Sequence, residues 1–153
     1  MMSIQDIQIN AVVSGLEKVL TQYLGLSFRS GEPLLQQSSV HTDSVAVMVG
    51  MTGDVRGEII LSMDYEVLKG IVSVMCGFTV DSIDDMGWSA FGEFGNWVGA
   101  ACCSAFNDLQ MNTNITPPVL HEGKSNLRTS SSFISIPVYA GDLTLILHLS
   151  LGE

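Results

Sequence analysis

Apolar residues recur at mostly three- and four-residue steps through Ile4, Ile7, Val12, Leu16, Val19, Leu20 and Tyr23. That spacing gathers them on one face and predicts an amphipathic helix over 4–23. Ser3 stands where an N-cap belongs, and Gly25 follows the end. The next stretch, FRSGEPLLQQ, carries Gly31 and Pro33 as breakers and reads as a loop or a short extended piece. Two apolar runs follow, SVAVMVGM and RGEIILSM, joined by TGDV. A Gly-Asp pair between β-rich segments predicts an antiparallel hairpin.

A second helix is expected over DYEVLKGIVSVMCG, ended by Gly77. The segment VDSIDD then supplies acids where the dipole of a following helix favours them. That helix is predicted from about Asp84 to about Leu109, and Pro117 with Pro118 forbid its continuation. The segment HEGKSNLRTSSS reads as a mobile loop with no assigned chemistry. SSFISIPVYA and DLTLILHLSL flank Gly141-Asp142 and predict a second hairpin. Strands in hairpins and helices in a block point to an α+β fold. Its mainly antiparallel sheet carries long helices packed on it, in a single domain over 1–153.

Composition narrows the function classes. Hydrophobic residues make up 46% of the chain and charged residues 14%, which is globular and not disordered. So small a charged share suggests that a partner or a second subunit covers some surface. The net charge of -10 repels nucleic acid and anionic membrane and suits a partner with a basic face. MMSIQDIQIN lacks the basic and apolar regions of a signal peptide, and no apolar run approaches the roughly 20 residues of a membrane span. A cytoplasmic protein is expected. Cys76, Cys102 and Cys103 contain no C-x-x-C and read as reduced, mostly buried thiols. His41, His121 and His148 are isolated in sequence, and His148 falls within a strand, as a packed or an edge residue.

The chemistry concentrates in the long helix. At about 100° per residue, Ser89, Glu93, Asn96, Ala100, Cys103, Ser104 and Asn107 share one stripe. Phe94, Trp97, Val98, Ala101 and Ala105 turn toward the core, with Trp97 near the boundary of the two faces. Gly92, Gly95 and Gly99 line one flank, and each costs about 1 kcal/mol relative to Ala. Close approach explains such a cost, either by another element of the same domain or by a separate molecule. Glu93 and Asn96 project together, one turn apart, above small neighbours. No His or Cys pairs with them as a nucleophile-base couple, and the two alone cannot hold a metal. An amide offers one donor and one acceptor to a water, and a carboxylate offers a partner for a lysine.

With Ser89, Glu93 and Asn96 in place, SAFGEFGN resembles the motif of the CheC, CheX and FliY group of chemotaxis phosphatases. That motif is Asp or Ser, three residues, Glu, two residues and Asn, with a proline well downstream, a place for Pro117 or Pro118. The hairpin GMTGDVRGEIILSMD is similar to the group's Gly-rich hairpin. Glu17 and Glu66 are followed three residues on by Leu20 and Lys69, so no second motif is present and the single-motif CheX branch is the better match.

The resemblance implies a phosphatase acting on the aspartyl phosphate of a CheY-like receiver domain. Asn96 would position the attacking water, and Glu93 would dock the receiver's lysine. Ser89, Gly92, Ala100, Cys103 and Asn107 would form the partner-binding face. The resemblance also implies a homodimer pairing its sheets edge to edge. It implies no cofactor of the chain's own, Mg²⁺ being supplied by the receiver. Two other readings stand beside it. One is a non-catalytic binding module or scaffold for a receiver. The other is a small-molecule sensor with a pocket lined by methionines and Trp88 or Trp97.

Overall fold

A computed structural model describes residues 3–36, 39–128 and 132–152. Helix α1 (Ile4–Lys18) begins at Ser3. The Ser3 hydroxyl accepts from the Asp6 amide while the Asp6 carboxylate accepts from the Ser3 amide, a reciprocal capping box. A π-helical turn, Val19–Tyr23, ends it, and Gly25 turns the chain away at φ 68°. The stretch after it holds β1 (Phe28–Ser30) and β2 (Leu34–Gln36), followed by β3 (Ser39–Thr42).

The first predicted hairpin is β4 (Val45–Gly53) and β5 (Arg56–Met63), in register from Val45 opposite Met63 to Met51 opposite Gly57. Helix α2 (Tyr65–Cys76) is capped by Asp64 and stopped by left-handed Gly77. Helix α3 (Asp85–Asp108) starts at Asp84, whose carboxylate accepts from the Gly87 amide at 2.9 Å. After it come β6 (Thr113–Ile115), β7 (Val119–Glu122), β8 (Ser125–Arg128), β9 (Phe133–Ala140) and β10 (Leu143–Gly152).

The main sheet runs β1-β9-β10-β5-β4-β6, with β2 also beside β9 and β7 also beside β4. Every described strand pair is antiparallel. Alternation along the strands sorts their two faces. Val47, Ile59, Leu61, Met63, Ile136, Val138, Leu145 and Leu147 join the three helices in one core. Ile60, Ala46 and Phe133 point the other way and meet Val40 in a smaller cluster. Phe91, Phe94 and Phe106 are fully buried along α3. Each such side chain contributes roughly 1.5–3 kcal/mol on burial, so α3 is held along its length.

One expectation changes and another narrows. HEGKSNLRTSSS is not a loop over its described part: His121 and Glu122 finish β7, and Ser125–Arg128 form β8, which pairs with β3. Alternating Ser125 and Leu127 inward let this polar stretch hydrogen-bond as a strand, with the Thr42 hydroxyl tied to Ser125. Its Thr129, Ser130 and Ser131 lie outside the described residues. Of the two readings for His148, packed or edge, the structure shows the packed one, because β10 lies between β9 and β5. It is buried, and its Nδ1 pairs with the Ser135 hydroxyl at 2.6 Å.

Candidate functional site

Helix α3 faces three ways. Its inner side carries the buried phenylalanines, Val98 and Ala101. Its glycine flank rests on the sheet. A Cβ at Gly95 would fall 2.6 Å from Val47 Cγ2, and one at Gly99 would fall 3.0 Å from both Val49 Cγ1 and Ile115 Cδ1. Two of the three glycines are therefore explained by packing inside the domain. Gly92 differs, since its Cβ would meet only Pro118 Cγ, at 3.9 Å. On the remaining side α1 crosses closely, where a Cβ at Gly15 would fall 2.8 Å from the Cys102 amide.

The outer face bears the predicted stripe. Ser89, Glu93, Ala100, Ser104 and Asn107 are exposed, and Gly92, Asn96 and Cys103 are half-buried. The structure brings all of these onto one continuous surface. Neither the Glu93 carboxylate nor the Asn96 carboxamide makes a hydrogen bond or ion pair with another described residue. Both keep their full bonding capacity for something outside the chain. Phe94, Val98 and Ala101 are buried as the wheel predicts, Ala105 is half-buried, and Trp97 lies at the boundary the wheel gave it. It is half-buried, and its ring and that of Tyr23 meet at right angles with 5.8 Å between centroids. That pair borders the stripe on the α1 side.

Pro118 borders it on the other side. Strands β6 and β7 both pair with β4, and the diproline bridges them. Thr116 fixes the bridge, its amide donating to the Gly50 carbonyl at 2.9 Å and its hydroxyl accepting from the Gly50 amide at 3.0 Å. Pro118 lies against Gly92 and Gly95, while Pro117 is exposed. Of the two candidates, Pro118 is the proline that touches the motif helix. The spacing of the chain gave no signal to choose between them, because the choice depends on which residue β7 starts from.

Other candidates separate from this face. Cys102 is buried and its thiol is pushed up by burial, with its Sγ directed to the Val12 carbonyl at 3.6 Å. The three cysteines are free. Met51 and Met63 are buried, Met48, Met75 and Met111 half-buried and Met86 exposed, so these methionines do not gather into one pocket. Trp88 lines a notch of about 280 Å³ with Leu120 and Glu122, between α3 and β7. Among the described residues, no group of three or more His, Cys, Asp and Glu is placed to hold a metal ion, and no helix is long and apolar enough to cross a membrane.

Comparison with known proteins agrees with this fold. The family model for chemotaxis phosphatase CheX matches residues 45–139, from β4 through nearly all of β9, with α3 at the centre. The CheY-P phosphatase CheX of Thermotoga maritima is 25% identical over 145 residues, covering 93% of this chain and 94% of that protein. The crystal structure of CheX from Desulfovibrio desulfuricans has a TM-score of 0.84 at 20% identity, covering 95% of this chain and 99% of that one. CheX of Borrelia burgdorferi, solved in complex with CheY, BeF₃ and Mg²⁺, has a TM-score of 0.77 at 24% identity, covering 95% and 97%. Matched over well more than half its length by that model, the chain belongs to the chemotaxis phosphatase CheX family.

Proposed function

We propose that this protein hydrolyses the aspartyl phosphate of a CheY-like receiver domain. The observation that carries the reading is the unengaged Glu93 and Asn96 pair, held on the outward face of a helix clamped on its other sides. An acyl phosphate is already reactive, so its hydrolysis needs placement and charge neutralisation more than a new covalent catalyst. The Asn96 amide accepts from and donates to one water, which fixes that water in line with the phosphorus. The water oxygen bonds to phosphorus, the bond from phosphorus to the aspartyl oxygen breaks, and inorganic phosphate leaves the regenerated carboxylate. Glu93 pairs with the receiver's lysine and sets the register of docking. Mg²⁺, which neutralises phosphoryl charge when bound, comes with the receiver, as in the composition of the Borrelia complex. The low neighbours Ser89, Gly92, Ala100, Cys103 and Asn107 let the receiver's surface close on the helix.

The test is phosphate release from a phosphorylated receiver, with wild type beside Asn96→Ala. Losing one preorganised donor costs about 10²–10³ in turnover. Asn96 is half-buried and tied to no other described residue, so the variant should keep the wild-type circular dichroism, melting temperature and receiver affinity. Undiminished turnover in Asn96→Ala would remove the water-positioning role. A wild type that binds receivers without accelerating hydrolysis would make the chain a docking module.

A further inference from the structure

We infer that the receiver-docking face continues past the start of α3 onto Phe78 and Met86, which anchor an apolar part of the receiver; the inference rests on the phosphatase reading above. Met86 and Glu93 are seven residues apart on α3. At about 100° and 1.5 Å per residue they share one stripe, about 10 Å apart along the axis. Met86 is 53% exposed, and Phe78 is 57% exposed on the same cavity of about 280 Å³, also lined by Val80 and Asp84. Met86 therefore stands in line with the proposed catalytic pair, and Phe78 shares the cavity beside it.

The α2–α3 connection presents Phe78 by construction and not through slack. The Val80 amide donates to the Ser73 hydroxyl at 3.0 Å, and the Ile83 amide donates to the Tyr65 hydroxyl at 2.9 Å. Lys69 Nζ reaches the Asp81 carbonyl at 3.4 Å. Val80 and Ile83 are half-buried against the core. Three side chains of α2 thus tie the connection down while Phe78, between them and left-handed Gly77, points out. A side chain held in place before binding loses little freedom when a partner covers it, which makes it an efficient anchor.

Interface size gives the occupant. A stable protein–protein contact covers about 800 Å² on each side, far more than the turns from Ser89 to Asn96 supply. A receiver seated on Glu93 and Asn96 must also cover neighbouring surface, and the two ends of α3 continue the stripe. Toward the C-terminus the stripe continues with Ala100, Ser104 and Asn107, small or polar. Toward the N-terminus it meets Met86 and Phe78, the side-chain types that carry energy at interface centres. Asp81, Asp84 and Asp85 rim this end with negative charge, in keeping with a receiver that presents a lysine to Glu93.

The experiment is calorimetric titration with a CheY receiver loaded with beryllofluoride and Mg²⁺, run beside steady-state phosphate release. Phe78→Ser and Met86→Ser should each weaken binding about tenfold or more and raise KM in proportion, with kcat at saturation retained. Met86→Leu should keep wild-type affinity, and so should Leu109→Ser, an exposed apolar position at the other end of α3. Unchanged affinity in both serine variants, with wild type active and Asn96→Ala inactive, would overturn the anchor and leave the phosphatase reading standing. Loss of affinity in Leu109→Ser instead would place the docked domain at the opposite end. A change in sedimentation coefficient of the serine variants alone would assign the patch to contact between copies of the chain. Wild type that neither binds nor dephosphorylates any receiver of its own genome would defeat both readings.

Discussion

Alanine substitution at the three glycines of the α3 flank should give three different results, although the local chemistry of the change is the same. Replacing Gly by Ala inside a helix gains about 1 kcal/mol of propensity. At Gly92 nothing opposes that gain, since the new methyl finds only Pro118 Cγ at an ordinary 3.9 Å. In a chain of this size 1 kcal/mol moves the melting temperature by about 2–4 °C, and Gly92→Ala should rise by that amount. At Gly95 the methyl would sit 2.6 Å from Val47 Cγ2. Val47 is fully buried, β-branched and flanked across the sheet by Leu61 and Leu120, so it cannot swing aside. Overpacking of this kind costs roughly 1–3 kcal/mol, which leaves Gly95→Ala between neutral and about 2 kcal/mol less stable. Gly99→Ala falls between, because its contacts with Val49 and Ile115 are at 3.0 Å and Ile115 lies on a short edge strand.

Thermal unfolding followed by circular dichroism reads the order Gly92, Gly99, Gly95 from most to least stable. Equal stabilisation at Gly92 and Gly95 would refute the claim that the helix is seated on Val47. Receiver affinity supplies the second readout. Gly92 is half-buried beside Glu93 and Asn96, so the added methyl should weaken docking while it raises stability. Unchanged affinity in Gly92→Ala would take that glycine out of the docking face.

Two further outcomes follow from buried titratable groups. Burial holds His148 down to about 4, against an ordinary 6.5. The unfolded chain therefore binds the extra proton first, so stability is complete above pH 6.5 and is lost as pH falls toward 4. The full loss is about 3 kcal/mol. Urea unfolding of His148→Gln, compared with wild type between pH 7 and 4.5, should lack that part of the slope, and parallel curves would refute it. The raised, buried Cys102 thiol should resist a thiol reagent in the native state while Cys103 and Cys76 react, and Cys102 should react only on unfolding. Mass mapping of the labelled sites checks this, and fast native labelling of Cys102 would contradict the burial.

The sequence shows the helices and long hairpins clearly because their signals are local. Ser3, Asp64 and Asp84 cap helices that begin where those residues stand, and Gly77 stops α2 by its own left-handed φ. The stripe on α3 is legible for the same reason, since periodicity within one helix fixes which residues share a face. What is hidden depends on pairing between distant segments. Strand β8 has no apolar alternation of its own strong enough to announce it, and it exists because β3 offers it a partner 83 residues away in the Thr42–Ser125 contact. The choice of Pro118 over Pro117 depends on β7 pairing with β4. The exposure of Phe78 depends on where Ser73 and Tyr65 tie the connection down.

The same distinction explains why the glycines could be read in two ways. A glycine flank states that something comes close without stating what. The structure divides the flank by distance: Gly95 and Gly99 admit the sheet, and Gly92 has room left over. The division suits the proposed chemistry. In the proposed function the chain adds only a carboxylate and an amide to a site that its substrate otherwise supplies, so its contribution depends on position. Misplacement by about 1 Å can cost on the order of 10²-fold in rate. A site on a helix is held better than one on a loop, and this helix is fixed by Val47 and Val49 below, by Gly15 against Cys102 at one side, and by Pro118 at the other. Glycine and proline, poor helix formers, are placed where they bring the clamps in, and the proposed docking face sets Glu93 and Asn96 among the small side chains of Ser89, Ala100 and Cys103.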